Sequence, residues 1–186
     1  MTNPETLLTP TLQGLPWSFY TTWGLFSPKD IDDGTRLFLD HVRPNKTDRI
    51  FDLGCGYGPI GIVLGKYAAS VDMVDKDFVA VDYAERNVKL NGVDNAKVYL
   101  SNAFSHVPTD TKFDLIVSNL PAKPGKEFFE LMLNDARAHL APGGRICVVF
   151  IAGLSDYIKR IFKEIFGNYT KITQAKGYTV AEARVD

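Results

Sequence analysis

Two short stretches of this 186-residue chain combine residue types that can do chemistry. The first is Phe51-Asp52-Leu53-Gly54-Cys55-Gly56-Tyr57-Gly58-Pro59-Ile60-Gly61, an apolar run that drives into three glycines at alternate positions. Strand, glycine turn and helix N-terminus together let backbone N–H groups approach a polar ligand closely. The second is Ser118-Asn119-Leu120-Pro121-Ala122, directly after the apolar run Phe113 to Val117. At the carboxyl end of a strand, an asparagine on a proline-stiffened backbone offers a fixed amide acceptor. An exocyclic NH₂ group suits it, because that group's lone pair is delocalised into its ring. Accepting hydrogen bonds from both N–H groups makes the nitrogen a better nucleophile. The Asn119 side-chain oxygen can take one and the Leu120 carbonyl the other, and such a preorganised contact is worth about a hundredfold in rate. A plain asparagine turn fits the same residues.

The glycine spacing narrows the ligand. A dinucleotide fingerprint, G-x-G-x-x-G, begun at Gly54 needs its third glycine at position 59, which is Pro59. The spacing is instead G-x-G-x-G with Asp52 before it, which speaks against a dinucleotide. Asp75 closes Val71-Asp72-Met73-Val74-Asp75, where a carboxylate can accept from two ribose hydroxyls. Its alternative is a solvated turn residue beside Lys76 and Asp77. Asn102, after the next strand, either meets an adenine edge or makes a simple turn. Trp17, Phe19, Tyr20, Trp23 and Phe26 crowd ten positions, as a cover on the sheet or as a wall for a planar ligand. Lys123 and Lys126 border the second stretch and either meet a phosphate or stay solvated. His41, His106 and His139 stand in no relation to a nucleophile or ligand cluster. Cys55 and Cys147 match no metal spacing, and no metal is expected.

These residues must be positioned by regular elements, and the periodicity supplies them. Residues 1–16, with three prolines, read as an irregular N-terminal arm, and 17–186 as a single domain. Asp32 or Asp33 can cap a helix running to about His41. Strands fit near 49–54, 71–75, 97–101, 113–118 and 144–150, and helices near 59–68, 77–91, 126–140 and 154–166. This alternation is a doubly wound α/β sheet, whose ligands sit beyond the carboxyl ends of the strands. Near Tyr169–Gln174 and Tyr178–Arg184 the chain alternates like strands separated by three residues, too few for a parallel crossover. The sheet therefore ends in an antiparallel hairpin.

A hydrophobic content of 45% and 23% charge are ordinary for a globular protein, and the net charge of −1 argues against broad electrostatic capture of nucleic acid. No secretory signal and no membrane-length apolar run is read, so a cytoplasmic protein is expected.

Taken together, the motifs resemble those of class I S-adenosylmethionine-dependent methyltransferases. Asp52-Leu53-Gly54-Cys55-Gly56-Tyr57-Gly58 resembles that family's cofactor loop, and Asp75 falls at its ribose-binding acid. Narrower similarity runs to the small-domain group that includes ribosomal RNA guanine-N2 methyltransferases. It rests on Gly24-Leu25-Phe26-Ser27, Asp33-Gly34-Thr35, Ser101-Asn102-Ala103-Phe104-Ser105 and Phe113-Asp114-Leu115-Ile116-Val117-Ser118-Asn119. The resemblance implies a Rossmann-like, seven-stranded, mostly parallel sheet and S-adenosyl-L-methionine as cofactor. Asp52 would orient its ammonium group, Gly54, Gly56 and Gly58 would lie against its amino-acid and ribose portion, and Asp75 would hold the ribose hydroxyls. Asn102 would meet the adenine. Asn119, Leu120 and Pro121 would be catalytic, with Trp23, Phe26 and Lys123 on the substrate side. The implied partner is RNA, with N-methylation of guanine favoured. The family's asparagine, proline, proline, aromatic motif is here Asn119-Leu120-Pro121-Ala122, and Ala122 cannot stack on a base. A small-molecule or protein substrate, or a non-catalytic cofactor-binding domain, therefore stand as alternatives.

Overall fold

The computed structural model describes residues 5–122 and 125–186, without the side chain of residue 126. The chain opens with four short strands, β1 (Glu5–Leu8), β2 (Thr11–Leu12), β3 (Leu15–Pro16) and β4 (Phe19–Thr22). Residues 5–16 are thus not the irregular arm that their prolines suggest. β1 pairs antiparallel with β4, and β2 with β3. The pairing partner of β1 lies beyond residue 16, so a non-local ladder supplies the order that local composition conceals. Trp17 and Phe19 are buried in the core and act as cover, whereas Trp23 and Phe26 are 71% and 63% exposed.

Asp32 then caps α1 (Asp33–His41), its carboxylate accepting from the Thr35 N–H at 3.0 Å. Strands and helices alternate from there: β5 (Arg49–Leu53), α2 (Pro59–Gly65), β6 (Ser70–Asp75), α3 (Phe78–Leu90), β7 (Ala96–Leu100), β8 (Phe113–Asn119), α4 (Lys126–His139) and β9 (Leu140–Ile151). The chain closes with α5 (Ser155–Phe166) and the hairpin β10 (Thr170–Ala175) and β11 (Tyr178–Arg184). β9 starts before the expected residue 144, because Leu140 pairs with Phe113. α2 stops at Gly65 rather than 68. The Tyr67 and Ala68 N–H groups bond carbonyls three residues back, tightening the chain into a turn.

The main sheet has seven strands in the order β10-β11-β9-β8-β5-β6-β7. β9, β8, β5, β6 and β7 are parallel, and β11 joins antiparallel to both β9 and β10. This is the expected Rossmann-like, doubly wound sheet with its C-terminal antiparallel hairpin. One apolar core forms under α1, α2, α3 and the N-terminal cover, around Phe38, Ile62 and Val117. The other forms under α4 and α5, around Phe51, Phe113, Phe129 and Phe162. Burying a side chain of this size contributes about 1.5–3 kcal/mol.

Strand order reverses between β5 and β8, which are neighbours although α2, β6, α3 and β7 separate them in sequence. That switch point is where an open α/β sheet leaves a crevice. Both chemical stretches arrive there: the glycine turn leaves β5, and Asn119 ends β8. The Ser118 hydroxyl donates to the Leu53 carbonyl at 2.7 Å and ties the two strand ends together.

Candidate active site

A cavity of about 510 Å³ opens over the strand ends, within the size range of small-molecule and cofactor sites. Asp52, Gly54, Gly56, Asp75 and Asn102 line one side, and Asn119, Leu120, Pro121 and Ala122 the other. Residues 70 positions apart thus share one crevice.

The glycine turn is shaped by backbone conformation. Gly54 and Gly56 have φ of +72° and +57°, a region that favours glycine, and a Cβ on either would meet no atom within 4 Å. Both line the cavity, so their missing side chains leave room for a ligand. Gly58 differs from the role implied for it. It lies at the N-cap of α2 with φ +99°, and its Cβ would meet Ile62 Cδ1 at 2.8 Å and Met73 Cε at 2.9 Å. Gly58 does not line the cavity; it lets the turn enter the helix against a packed core.

Two carboxylates brace this wall. Asp52 is 1% exposed and accepts from the Gly61 N–H at 2.7 Å. Burial pushes its pKa up to about 7; the Gly61 N–H opposes that rise and the charge of Asp75 adds to it. Asp75 accepts from the Gly56 N–H at 3.0 Å and the Asp77 N–H at 2.9 Å, one on each oxygen. A carboxylate has about four acceptor positions, so both oxygens keep capacity for a ligand. Sequence reasoning missed Asn87 of α3. It donates to the Tyr57 carbonyl at 2.8 Å and the Tyr20 carbonyl at 2.9 Å, pinning the glycine turn to β4. Its only local signal is a polar residue on the buried face of a helix.

The facing wall is held from further away. Asn119 Nδ2 donates to Asp32 Oδ2 at 3.1 Å and to Thr35 Oγ1 at 3.1 Å. Both of its N–H groups are thereby directed at oxygens of the α1 N-terminus, and the amide oxygen has no partner among the described residues. The next residue, Leu120, is 4% exposed and anchored by its N–H to the Val149 carbonyl at 2.8 Å. Asp32 and Thr35 were not singled out as site residues in the sequence, because a helix cap explains both.

The remaining candidates divide. Phe26 lines the cavity and Trp23 does not. Lys123 lies outside the described residues. Phe128 of α4 (45% exposed) and Tyr178 at the start of β11 also line it. In the sequence Tyr178 opens a strand-like run and Phe128 falls within a helix, and neither position signals a cavity. Among the described residues no helix is long and apolar enough to cross a membrane.

Residues 16–182 match the family model described as the methyltransferase small domain. The chain is 31% identical to the Bacillus subtilis protein YbxB over 178 residues, covering 93% of this chain and 88% of that protein. It is 35% identical to the ribosomal RNA small subunit methyltransferase C of Mannheimia succiniciproducens, over 87% of this chain and 49% of that protein. Among solved structures, a T. thermophilus 16S rRNA N2 methyltransferase in complex with AdoMet and guanosine superposes with a TM-score of 0.87 at 25% identity. That match covers 98% of this chain and 51% of the other. The chain therefore spans about half the length of the ribosomal RNA methyltransferases that it matches.

Proposed function

The chain belongs to the methyltransferase small domain family, whose cofactor is S-adenosylmethionine, and from that premise we propose that it methylates an exocyclic amino group of RNA, with guanine N2 favoured. The residues present fit that cofactor. A buried carboxyl at Asp52 suits an ammonium group, and Asp75, with acceptor capacity left on both oxygens, suits a vicinal diol. Gly54 and Gly56 leave open space where side chains would otherwise stand. When bound, the cofactor supplies an electrophilic methyl group on a sulfonium, open to in-line displacement by a nitrogen lone pair.

The observation that carries the substrate reading is the fixed polarity of the Asn119 amide. Its nitrogen is committed to Asp32 and Thr35, so its oxygen is the atom left to accept. Leu120 lines the same cavity, is anchored by its N–H to the Val149 carbonyl, and precedes Pro121 on a stiffened backbone, so its carbonyl is the second acceptor in this reading. Two acceptors suit the two N–H bonds of an aromatic amino group and raise electron density on its nitrogen as the new N–C bond forms. They also hold the nitrogen in place for attack, so positioning supplies much of the acceleration. The amino proton leaves to solvent after transfer.

Ala122 cannot supply the stacking face of the family motif, but Phe26 and Phe128 rim the same cavity with exposed rings. A base stacked on one of them gains about 1–3 kcal/mol. The named activity of the T. thermophilus neighbour, together with its bound guanosine, favours guanine. A net charge of −1 gives little non-specific attraction to a polyanion, which shifts recognition onto this cavity.

The test is transfer of labelled methyl from the cofactor to total RNA, followed by digestion to nucleosides. N2-methylguanosine is expected. Cofactor binding with label only in a protein or metabolite fraction would replace RNA with that class.

A further inference from the structure

The geometry points to Asp32 as a positioning residue that sets the polarity of the Asn119 amide, with Tyr178 and Gly34 holding Asp32 in place. This inference rests on the reading of Asn119 as an acceptor for the substrate amino group.

An asparagine side chain can face a substrate with either its oxygen or its nitrogen, and only its partners decide which. A carboxylate can only accept, so Asp32 Oδ2 at 3.1 Å requires Nδ2 on its side. Thr35 Oγ1, also at 3.1 Å, takes the second N–H. Flipping the amide would set its oxygen against the Asp32 carboxylate oxygen. The cost of that contact fixes one orientation.

Asp32 is itself held from the far end of the chain. The Tyr178 hydroxyl donates to Asp32 Oδ1 at 2.8 Å, leaving Oδ2 for Asn119 and the Thr35 N–H. The Tyr178 ring reaches that position because residue 34 is glycine. A Cβ there would stand 2.7 Å from Tyr178 Cδ1 and 2.8 Å from Asp32 Oδ2. Bonding to the carboxylate also pushes the Tyr178 pKa up to about 12, so the phenol stays a donor across the physiological range.

A helix cap alone needs one oxygen accepting from Thr35. It requires neither Tyr178, nor space at position 34, nor an asparagine reaching across from β8. Those three features converge on one carboxylate next to the amide that the substrate would meet.

Two substitutions separate capping from positioning. Asp32→Ser keeps a good N-cap residue but is too short to reach Asn119 or Tyr178. Asp32→Asn keeps both the cap and an oxygen in the Oδ2 position, and can present its NH₂ to the Tyr178 oxygen. With cofactor saturating, Asp32→Ser should lower kcat about a hundredfold, and Asp32→Asn should stay within about fivefold of wild type. Cofactor Kd should be unchanged in both. Asp32→Ser turning over at the wild-type rate, or Asp32→Asn falling as far as Asp32→Ser, would overturn the inference.

A second readout needs no substrate. In ¹⁵N spectra the Asn119 side-chain NH₂, assigned by its loss in Asn119→Asp, should exchange slowly in wild type and Asp32→Asn. It should exchange rapidly in Asp32→Ser. Equal exchange in all three removes the positioning role. A wild type inactive on every RNA, with this exchange pattern intact, counts against the RNA reading alone.

Discussion

The glycine-turn wall of the cavity and the Asn119 wall are stabilised over different distances along the chain. On the first, Gly54 and Cys55 donate to the Val74 carbonyl at the end of the neighbouring strand, and the Gly56 N–H donates to the Asp75 carboxylate. Its two carboxylates and its glycine turn lie between residues 52 and 75, inside one strand-helix-strand unit, with Asn87 bracing the turn from α3 and Asn102 following β7. On the second, Asn119 is held by residues 84 and 87 positions away, and Asp32 by a tyrosine 146 positions away. The first wall is built on the sheet's own backbone hydrogen bonding, so a change to the turn's backbone disturbs the fold as well as the cavity. The second is a side-chain arrangement laid over a finished sheet. Such an arrangement should tolerate change without loss of the fold, a physical basis for varying a site's specificity on a constant sheet.

Substitutions that separate the two walls test that contrast. The largest effect is expected from Asn119→Ala. Loss of one preorganised contact made in the transition state should cut kcat about a hundredfold or more. Cofactor affinity by calorimetry should stay within experimental error, and a parallel loss of cofactor binding would show that the walls are not independent. The reciprocal change is Asp75→Ala. It removes acceptors for the proposed diol and releases the Gly56 N–H, at about 1.5–3 kcal/mol, or roughly a 10–100-fold rise in cofactor Kd. Turnover at saturating cofactor should fall much less. A fall in saturated kcat as large as that of Asn119→Ala would erase the distinction.

The same difference in range decides what the sequence reveals. The placement of Asp52, Gly54, Gly56 and Asp75 on one cavity is readable because motif spacing and strand ends carry their positions. The apolar runs of β5, β8 and β9 are readable because the sheet is covered on both faces. Gly58 lies off the cavity, and spacing alone does not say so, because Ile62 and Met73 occupy the side toward which its Cβ would point. The strands in residues 5–16 are hidden for a related reason, since β1 gains order only by pairing with β4. Asp32, Gly34 and Tyr178 look like a cap, a helix glycine and a strand aromatic until the fold stacks α1 against β11. Local chemistry is legible, and convergence of distant residues is not.

Smaller effects are expected at the rim of the Asn119 wall. Phe26→Ala and Phe128→Ala each remove an exposed aromatic face, and the residue that stacks the base should lose about 1–3 kcal/mol. The lower end of that range is expected for so open a ring, read as roughly a fivefold rise in KM for RNA. Saturated kcat and cofactor Kd should hold. No change of KM in either variant would move base recognition away from this rim.

The gentlest test uses pH and acts on the glycine-turn wall alone. Asp52 has a pKa of about 7, against 3.8 for an ordinary aspartate, because burial disfavours its charged form. In the free protein its carboxyl is therefore mostly protonated at pH 6 and mostly ionised at pH 8. A raised acid pKa means that the folded state holds a proton which the unfolded chain has already lost. This group's contribution therefore makes the cofactor-free protein less stable as pH rises from about 4 to 7, with no further change above. Cofactor binding should run the opposite way. An ammonium beside Asp52 favours the ionised form, so affinity should rise up to about tenfold between pH 6 and 7 and then level off. It should not continue upward near pH 8, where an α-amino group begins to lose its own proton. Binding near pH 6.5 should release protons, visible as a calorimetric enthalpy that depends on the buffer. Asp52→Asn should remove both the slope and the proton release. A wild-type affinity that is flat from pH 6 to 7.5 would mean that Asp52 shapes the turn through Gly61 without meeting the ammonium.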